Sequence, residues 1–460
     1  MPPTHLPQLE AILRTHGVVT ARFLAGRMGI SQPTVSRTLA LAGDRVLRIG
    51  QARSSRYALT RDIARAGGRW PLYRVDPDGH AQLLGQLRAL HGDGYHFEPS
   101  GRSSGLLPDS FGDGLFPALP WFLDDQRPQG FLGRAFAHRV AANIGAPDDL
   151  ARWQPDDLVL ALLRHGDDQP GDLVLGEKAL HRALQGILHP DAIATDARDS
   201  RYPQLADAAL RGEDIGSSAG GEQPKFAITL RQDNGTLSPV IVKFSERGDT
   251  PAARRWADLL ACEHIAGTTL QAFGQPAADS DILQAGGRSF LQSTRFDRTP
   301  RLGRRGFVSL AAIDAAFYGH GRIDWWRLAP QLQRDGWIDA DDASRLAVLG
   351  WFGALIANSD MHLGNAALTL SDSRPFALAP AYDMLPMHFR PASTGEIVPR
   401  DFIVPLPTPE HRDAWQIAAA IALAFWQRTS GDPGISDAFR RICADASVDL
   451  ERAIAHIASG

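Results

Sequence analysis

The sequence predicts an α+β chain: a small N-terminal winged helix-turn-helix, then a two-lobed fold whose C-terminal lobe is mainly helical. Three observations carry this expectation. The first 65 residues are arginine-rich and punctuated like short helices followed by a hairpin. Residues 213–300 run as a glycine/serine loop, a strand, a hairpin turn, a second strand and a long helix. Beyond residue 301 the pattern turns helical around one polar run, IANSDMHLGNAALTL, from Ile356 to Leu370.

A chain of 460 residues has room for two to four domains. The divisions adopted are 1–65, 66–212, 213–300 and 301–460. A hydrophobic fraction of 44% and a charged fraction of 22% are those of an ordinary globular protein. Cys262 and Cys443 are too few and too far apart to predict a disulfide framework. Met1–Arg14 lacks the apolar core of a signal peptide. The most apolar run, Trp415–Trp426, is too short to span a bilayer and predicts a buried helix. A cytoplasmic protein with no membrane partner is therefore expected.

The net charge of −4 is unevenly spread. Residues 1–65 hold ten arginines against Glu10, Asp44 and Asp62, a surplus of +7 at one end of an otherwise acidic chain. Such asymmetry predicts a nucleic-acid-facing end. Leu9, Ile12 and Leu13 share one helical face that Gly17 closes. Thr20 and Ser31 stand as N-caps of two further helices joined by a tight turn at Met28–Ile30, with Pro33 in the first turn of the second. RVLRIGQARSSRYALT alternates around a glycine-containing turn and predicts a two-stranded wing. Gln32, Thr34, Ser36 and Arg37 fall near the exposed start of the second helix, where such side chains reach base edges or phosphates. Arg53 and Arg56 on the wing suit phosphate or minor-groove contact. DNA is thus an expected partner of residues 1–65, and a small helical protein-interaction domain is the plainer alternative.

Residues 66–212 are rich in Pro and Gly and predict short mixed elements. His165, His181 and His189 are scattered, so no metal site is expected there.

From Asp214 the pattern becomes orderly. Ser217, Ser218, Ala219, Gly220 and Gly221 form a loop rich in backbone N–H groups. A strand over Phe226–Leu230, an Asn-Gly turn and a second strand bearing Lys243 follow, then a helix over Pro251–Ala266. Loop donors, one strand-borne ammonium and a helix are an order that cradles a nucleotide triphosphate. The loop is not a Walker A motif, because Glu222 follows it instead of Lys-Ser/Thr. Glu263 and Asp258 are both candidates to pair with Lys243.

In the polar run, Asp360 and Asn365 stand in the D-x-x-x-x-N spacing of a kinase catalytic loop. AALTL, SDSR and PFALAPAYD predict a strand, a turn and a returning strand that bring Asp383 back to Asn365. Asn365 and Asp383 then share Mg²⁺ on ATP phosphates, while Asp360, off the metal, accepts the proton of an attacking hydroxyl. His362, between them, is expected to be structural. Arg295, Arg298, Arg301, Arg304 and Arg305, broken by Asp297, are expected to form a solvated loop after the strand SFLQSTRF.

These ordered pieces resemble the HipA family of bacterial serine/threonine protein kinases. They are SSAGGEQPKF from Ser217, VKFS around Lys243, RFDR at Arg295–Arg298, NSDMHLGN at Asn358–Asn365 and YDMLP from Tyr382. LPWFLDDQRPQGFLGR and DDLVLALLRHGDDQPGDLVLG resemble the family's N-terminal subdomain, so the likeness covers about residues 70–460. It implies ATP- and Mg²⁺-dependent phosphorylation of protein hydroxyls, with Lys243 on the phosphates, Asp360 as base and Asn365 and Asp383 on magnesium. It implies a toxin of a toxin–antitoxin system, with an aminoacyl-tRNA synthetase as a type of protein substrate. It also implies autophosphorylation at Ser217 or Ser218, which ejects the loop; a phosphate adds up to about −2 charge where ATP phosphates belong.

Three departures stand out. AGGEQPK, with Pro224, is one residue longer than the commoner AGAQEK. Thr294 replaces the usual acidic residue before RFDR. The chain also carries its own DNA-binding head, as in a subgroup of fused HipA-like toxins, so a separate antitoxin is not required. Two other functions stay open: a DNA-binding regulator whose kinase-like domain senses nucleotide, and a small-molecule phosphotransferase, since SDMHLGN also resembles the GDLHPGN loop of aminoglycoside and choline phosphotransferases.

Overall fold

A computed structural model describes residues 5–50, 55–101, 105–212 and 223–459. The head begins with α1 (Leu6–His16), β1 (Val19–Thr20), α2 (Ala21–Met28) and α3 (Gln32–Ala42). Thr20 accepts from Phe23 N and Ser31 from Thr34 N, so both expected N-caps hold the orphan donors of their helices. Gly29, left-handed at φ +66°, makes the turn between α2 and α3. β2 (Val46–Ile49) and β3 (Arg56–Leu59) pair antiparallel, and β1 joins them in the order β1-β3-β2. Leu9, Leu13, Leu24, Met28 and Val35 close a small core of their own.

The next unit contains β4 (Arg69–Val75), β5 (Ala81–Ala89), β6 (Tyr95–Pro99), β7 (Leu115–Phe116), α4 (Gly130–Ile144), α5 (Pro155–His165), β8 (Leu173–Leu175) and α6 (Glu177–Leu188). Its sheet has the order β7-β6-β5-β4-β8. The head meets this unit without a spacer. Arg61 donates to both carboxylate oxygens of Asp156 at 2.7 and 2.8 Å and to Leu90 O at 2.9 Å.

The first lobe is built from β9 (Ala192–Ala194), α7 (Arg198–Leu210), β10 (Lys225–Arg231), β11 (Leu237–Phe244), α8 (Pro251–Ala272), β12 (Ser280–Ala285) and β13 (Arg288–Thr294), with strand order β12-β13-β11-β10-β9. β9 runs parallel to β10, so residues assigned from sequence to the preceding segment add an edge strand to this sheet. Tyr202 of α7 packs edge-on to Phe226 and against Phe290, giving the lobe a separate aromatic core.

The second lobe contains β14 (Val308–Ser309), α9 (Leu310–Phe317), α10 (Trp325–Arg334), α11 (Ala340–Leu355), β15 (Ala367–Thr369), β16 (Ala377–Leu378), α12 (Arg412–Gly431) and α13 (Asp437–Ser459). β14-β15-β16 form a small sheet, with β15 and β16 the expected strand out and strand back. The alanine-rich run lies in α12 and is buried through Trp415, Phe425 and Trp426. Among the described residues no helix is long and apolar enough to cross a membrane. The middle unit and this lobe share one core, in which Trp121 meets Trp337 and Phe317 edge-on at 5.6 Å.

Trp426 ties that core to the polar run: its indole donates to Leu355 O at 3.0 Å, at the end of α11. Trp426→Ala removes both the fully buried ring and this bond. Denaturant unfolding of the variant is expected to show a loss of about 3–5 kcal/mol.

Candidate active site

β10 and β11 pair in a register that sets Lys225 directly opposite Lys243. Paired residues of neighbouring strands point to the same face, and both lysines are buried in the wall of one cleft of about 540 Å³ between the lobes. The α8 helix crosses behind this face. Its Glu263 accepts from Lys243 Nζ at 2.6 and 2.7 Å. Asp258, the other candidate, instead accepts from Ser436 N and Oγ, both at 2.7 Å.

From the helical lobe, Asp383 Oδ1 accepts from the same ammonium at 2.5 Å. The three side chains are 7%, 9% and 27% exposed for Lys243, Glu263 and Asp383, so Lys243 is almost wholly enclosed by two carboxylates. Burial works against its charge, yet Asp383 and Glu263 outweigh that and hold its pKa above the ordinary lysine range. Burial also pushes Glu263 upward; Lys243 opposes the rise and Asp383 adds to it. Asp383 is lowered despite its burial, because Lys243 and then Lys225 favour its anion. Two cations therefore face two anions in this part of the cleft.

The polar run is knit by its own side chains. Asn358 Oδ1 accepts from Asp360 N at 3.0 Å, and Asn358 Nδ2 donates to Asp383 O at 3.2 Å. Asn365 Nδ2 donates to Asp360 O at 2.8 Å. A carbonyl can only accept, so the Asn365 nitrogen is fixed there and its amide oxygen is left for another donor or a cation. Tyr382 OH donates to Gly364 O at 2.9 Å, and Gly364 N donates to His362 Nδ1 at 3.1 Å. His362 thus serves its own turn, while also lining the cleft. Ala357 and Asp383 are left-handed at φ +58° and +56°, a conformation that L-residues hold only when their surroundings impose it.

Asn365 and Asp383 line the cleft together with both lysines, and hydrogen bonds through Asn358 and Asn365 join Asp360 to them. One amide oxygen and one carboxylate are hard donors of the kind Mg²⁺ takes beside phosphate and water. They therefore fit a magnesium–nucleotide, and Lys225 and Lys243 match its phosphate charge. Ser217, Ser218, Ala219, Gly220 and Gly221 lie outside the described residues, as does Arg53. Sequence reasoning missed Lys225 and Asn358. Lys225 was findable by counting back from the Asn234-Gly235 turn to the partner of Lys243. Asn358 opens the NSDMHLGN motif, but nothing local shows that it bridges Asp360 and Asp383.

The middle unit supplies another wall of the cleft through Asp124, Asp125 and Gln129. Asp125 accepts from Ser309 N at 2.7 Å, in front of α9, and burial pushes its carboxyl up to about 6.

The arginine run after β13 is not the solvated loop expected. Arg295 and Arg298 are 5% exposed and grip Asp297 from both sides, with Arg295 Nε and Nη2 at 3.0 and 2.9 Å and Arg298 Nη1 at 2.8 Å. Both also reach Asp168 of the middle unit, at 3.1 and 2.9 Å. Arg304 is buried beside them and donates to Asp167 O. Arg301, largely exposed beside Asp78, and Arg305, exposed while donating to Phe296 O and Arg298 O at 3.1 Å, match the expectation. Beside the local Asp297, the partners that bury these arginines come from a segment about 130 residues away in sequence, which no local pattern announces.

In the head, Gln32, Ser36 and Arg37 of α3 are exposed. Thr34 is engaged by Ser31 Oγ at 3.0 Å and Arg37 Nη2 at 3.3 Å. Arg56 is ion-paired with Asp113 of the middle unit.

A β-sheet lobe with a Lys–Glu pair, set over a helical lobe with a D-x-x-x-x-N loop and a following aspartate, defines a kinase-like fold. Residues 217–449 match the model of the HipA-like C-terminal domain, and residues 66–184 that of the YjjJ-like toxin, middle domain. The chain belongs to the HipA-like toxin family. Toxin YjjJ of Escherichia coli (strain K12) is 39% identical over 435 residues, which span 94% of this chain and 95% of that one. A solved chain from the Shewanella oneidensis MR-1 toxin–antitoxin complex of HipA, HipB and its operator DNA shares the fold. It has a TM-score of 0.50 and 17% identity over 84% of this chain and 96% of that chain.

Removing Glu263 alone leaves the buried quartet with a net positive charge. Glu263→Ala is expected to lower stability by about 3–5 kcal/mol, whereas the double change Lys243→Met, Glu263→Met keeps neutrality and recovers most of it. Denaturant titration of the two variants beside the parent measures the difference.

Proposed function

We propose that this chain is a serine/threonine protein kinase that uses ATP and Mg²⁺. The observation that carries the reading is the Lys243 ammonium held by Glu263 and Asp383 in the cleft that Asn365 also lines. Bound magnesium–ATP supplies the transferable phosphoryl group and neutralises its charge. Lys243, kept in place by Glu263, and Lys225 hold phosphate oxygens. Asn365 and Asp383 offer oxygens to the cation. Asp360, outside the ring of groups around Lys243, accepts the proton of the substrate hydroxyl. Ser217 or Ser218 is the autophosphorylation site, where added negative charge opposes ATP binding. A protein such as an aminoacyl-tRNA synthetase is the substrate type.

The head is a winged helix-turn-helix that binds DNA and regulates the gene's own transcription, so a separate antitoxin is not required. Supporting this are the surplus of +7 and the exposed Gln32, Ser36 and Arg37 on α3. Arg56 contributes only after leaving Asp113.

Incubation with radiolabelled ATP and Mg²⁺ should label the chain in the glycine/serine loop. Asp360→Ala should reduce transfer by about 10²–10⁴-fold, the usual worth of a positioned base. A parent chain that transfers no label to itself or to any lysate protein defeats the kinase reading. For the head, Arg37→Ala should weaken DNA binding and lower the salt-dependence slope by about 1. Salt titrations by fluorescence anisotropy test this.

A further inference from the structure

The connection between the lobes is the short stretch after β13, and it forms part of the cleft wall through Arg295, Phe296 and Asp297. Along β13, Leu291 is the register partner of Lys243 and Thr294 that of Val240. Arg295 therefore lies four residues beyond the register of Lys243, about 13 Å at the usual strand rise. Phosphates belong at the lysines, which leaves the nucleotide base to the Arg295–Asp297 end.

This end is held from outside the two lobes. Asp168 accepts from Arg295 Nη1 at 3.1 Å and from Arg298 Nη2 at 2.9 Å. The neighbouring backbone completes the grip: Gln169 O and Gly171 O accept from Arg298 at 2.8 and 3.0 Å, and Gly171 N donates to Asp297 Oδ2 at 3.0 Å. Pro170, in the same turn, lines the cleft itself.

We infer that Asp168 is a positioning residue for the nucleotide base: by gripping Arg295 and Arg298 it sets the shape of the interlobe connection. The inference rests on the nucleotide-binding reading above and adds the middle unit to it. Asp168 is 46% exposed, so it is replaceable without opening a core. Its loss frees the connection and spoils the base end of the cleft, while the lysine end is untouched.

The test is calorimetric binding to the full chain of two probes, magnesium–ATP and magnesium–tripolyphosphate, which lacks the base. The parent is expected to prefer ATP. In Asp168→Asn the ATP Kd should rise about tenfold or more with tripolyphosphate binding unchanged. Asp168→Glu should restore most of the preference, and Lys243→Ala should weaken both probes. Should Asp168→Asn show no cooperative melting, Arg298→Lys, which keeps the charge but loses the two-sided fork, takes its place with the same expectation. A folded variant that keeps the parent's preference overturns the role of Asp168 alone. A parent that binds neither probe overturns the nucleotide reading and the inference with it.

Discussion

The ammonium of Lys243 sits between Glu263 and Asp383 with almost no contact to water. A buried charge without compensation is among the most costly things a fold can contain. That constraint reaches through three elements. It requires α8 to turn Glu263 toward the sheet, and β11 to carry its lysine at the inward face. It also requires the second lobe to bring Asp383 up beneath both. Asp383 does so in a left-handed conformation, with its carbonyl held by Asn358. Asn358 also accepts from the Asp360 peptide nitrogen, so one asparagine positions the proposed base and one proposed metal ligand, Asp383.

The middle unit is more than a connector. Its core continues into the helical lobe through Trp121, Phe317 and Trp337. It contributes Asp124 and Asp125 to the cleft and Asp168 to the arginines of the interlobe connection. A buried arginine is tolerated where carboxylates pair its charge and further acceptors take its remaining N–H groups. Asp297 supplies part of this to Arg295 and Arg298, and the docked middle unit supplies the rest through Asp168, Gln169 O and Gly171 O. The two lobes of this kinase-like fold are therefore joined under external restraint.

At the other end, the head is fixed by the bidentate Arg61–Asp156 pair and a small apolar seam of Ile49, Ala58 and Leu90. Arg56 of β3 is held by the Asp113 carboxylate of the middle unit. Under the proposed reading, DNA and the body of the protein compete for one side chain. That couples the orientation of the head to what it binds.

Much of this was legible in the sequence because it is written in short-range chemistry. N-caps at Thr20 and Ser31, the Asn-Gly turn, the hairpin after Asn365 and the five-residue step from Asp360 to Asn365 depend on neighbours within one element. The order of lysine, helix and polar run also marked the cleft, whose lining includes Lys243, Glu263, Asn365 and Asp383. Three features were decided only by tertiary structure. These are Glu263 over Asp258 as the partner of Lys243, the fate of the arginines after β13, and the joining of Ala192–Ala194 to the sheet of the first lobe. In each, a strand or a charged side chain had several plausible partners. The choice fell to segments far along the chain, whose proximity no local pattern encodes, because burial and pairing energies are settled only when the whole chain has packed.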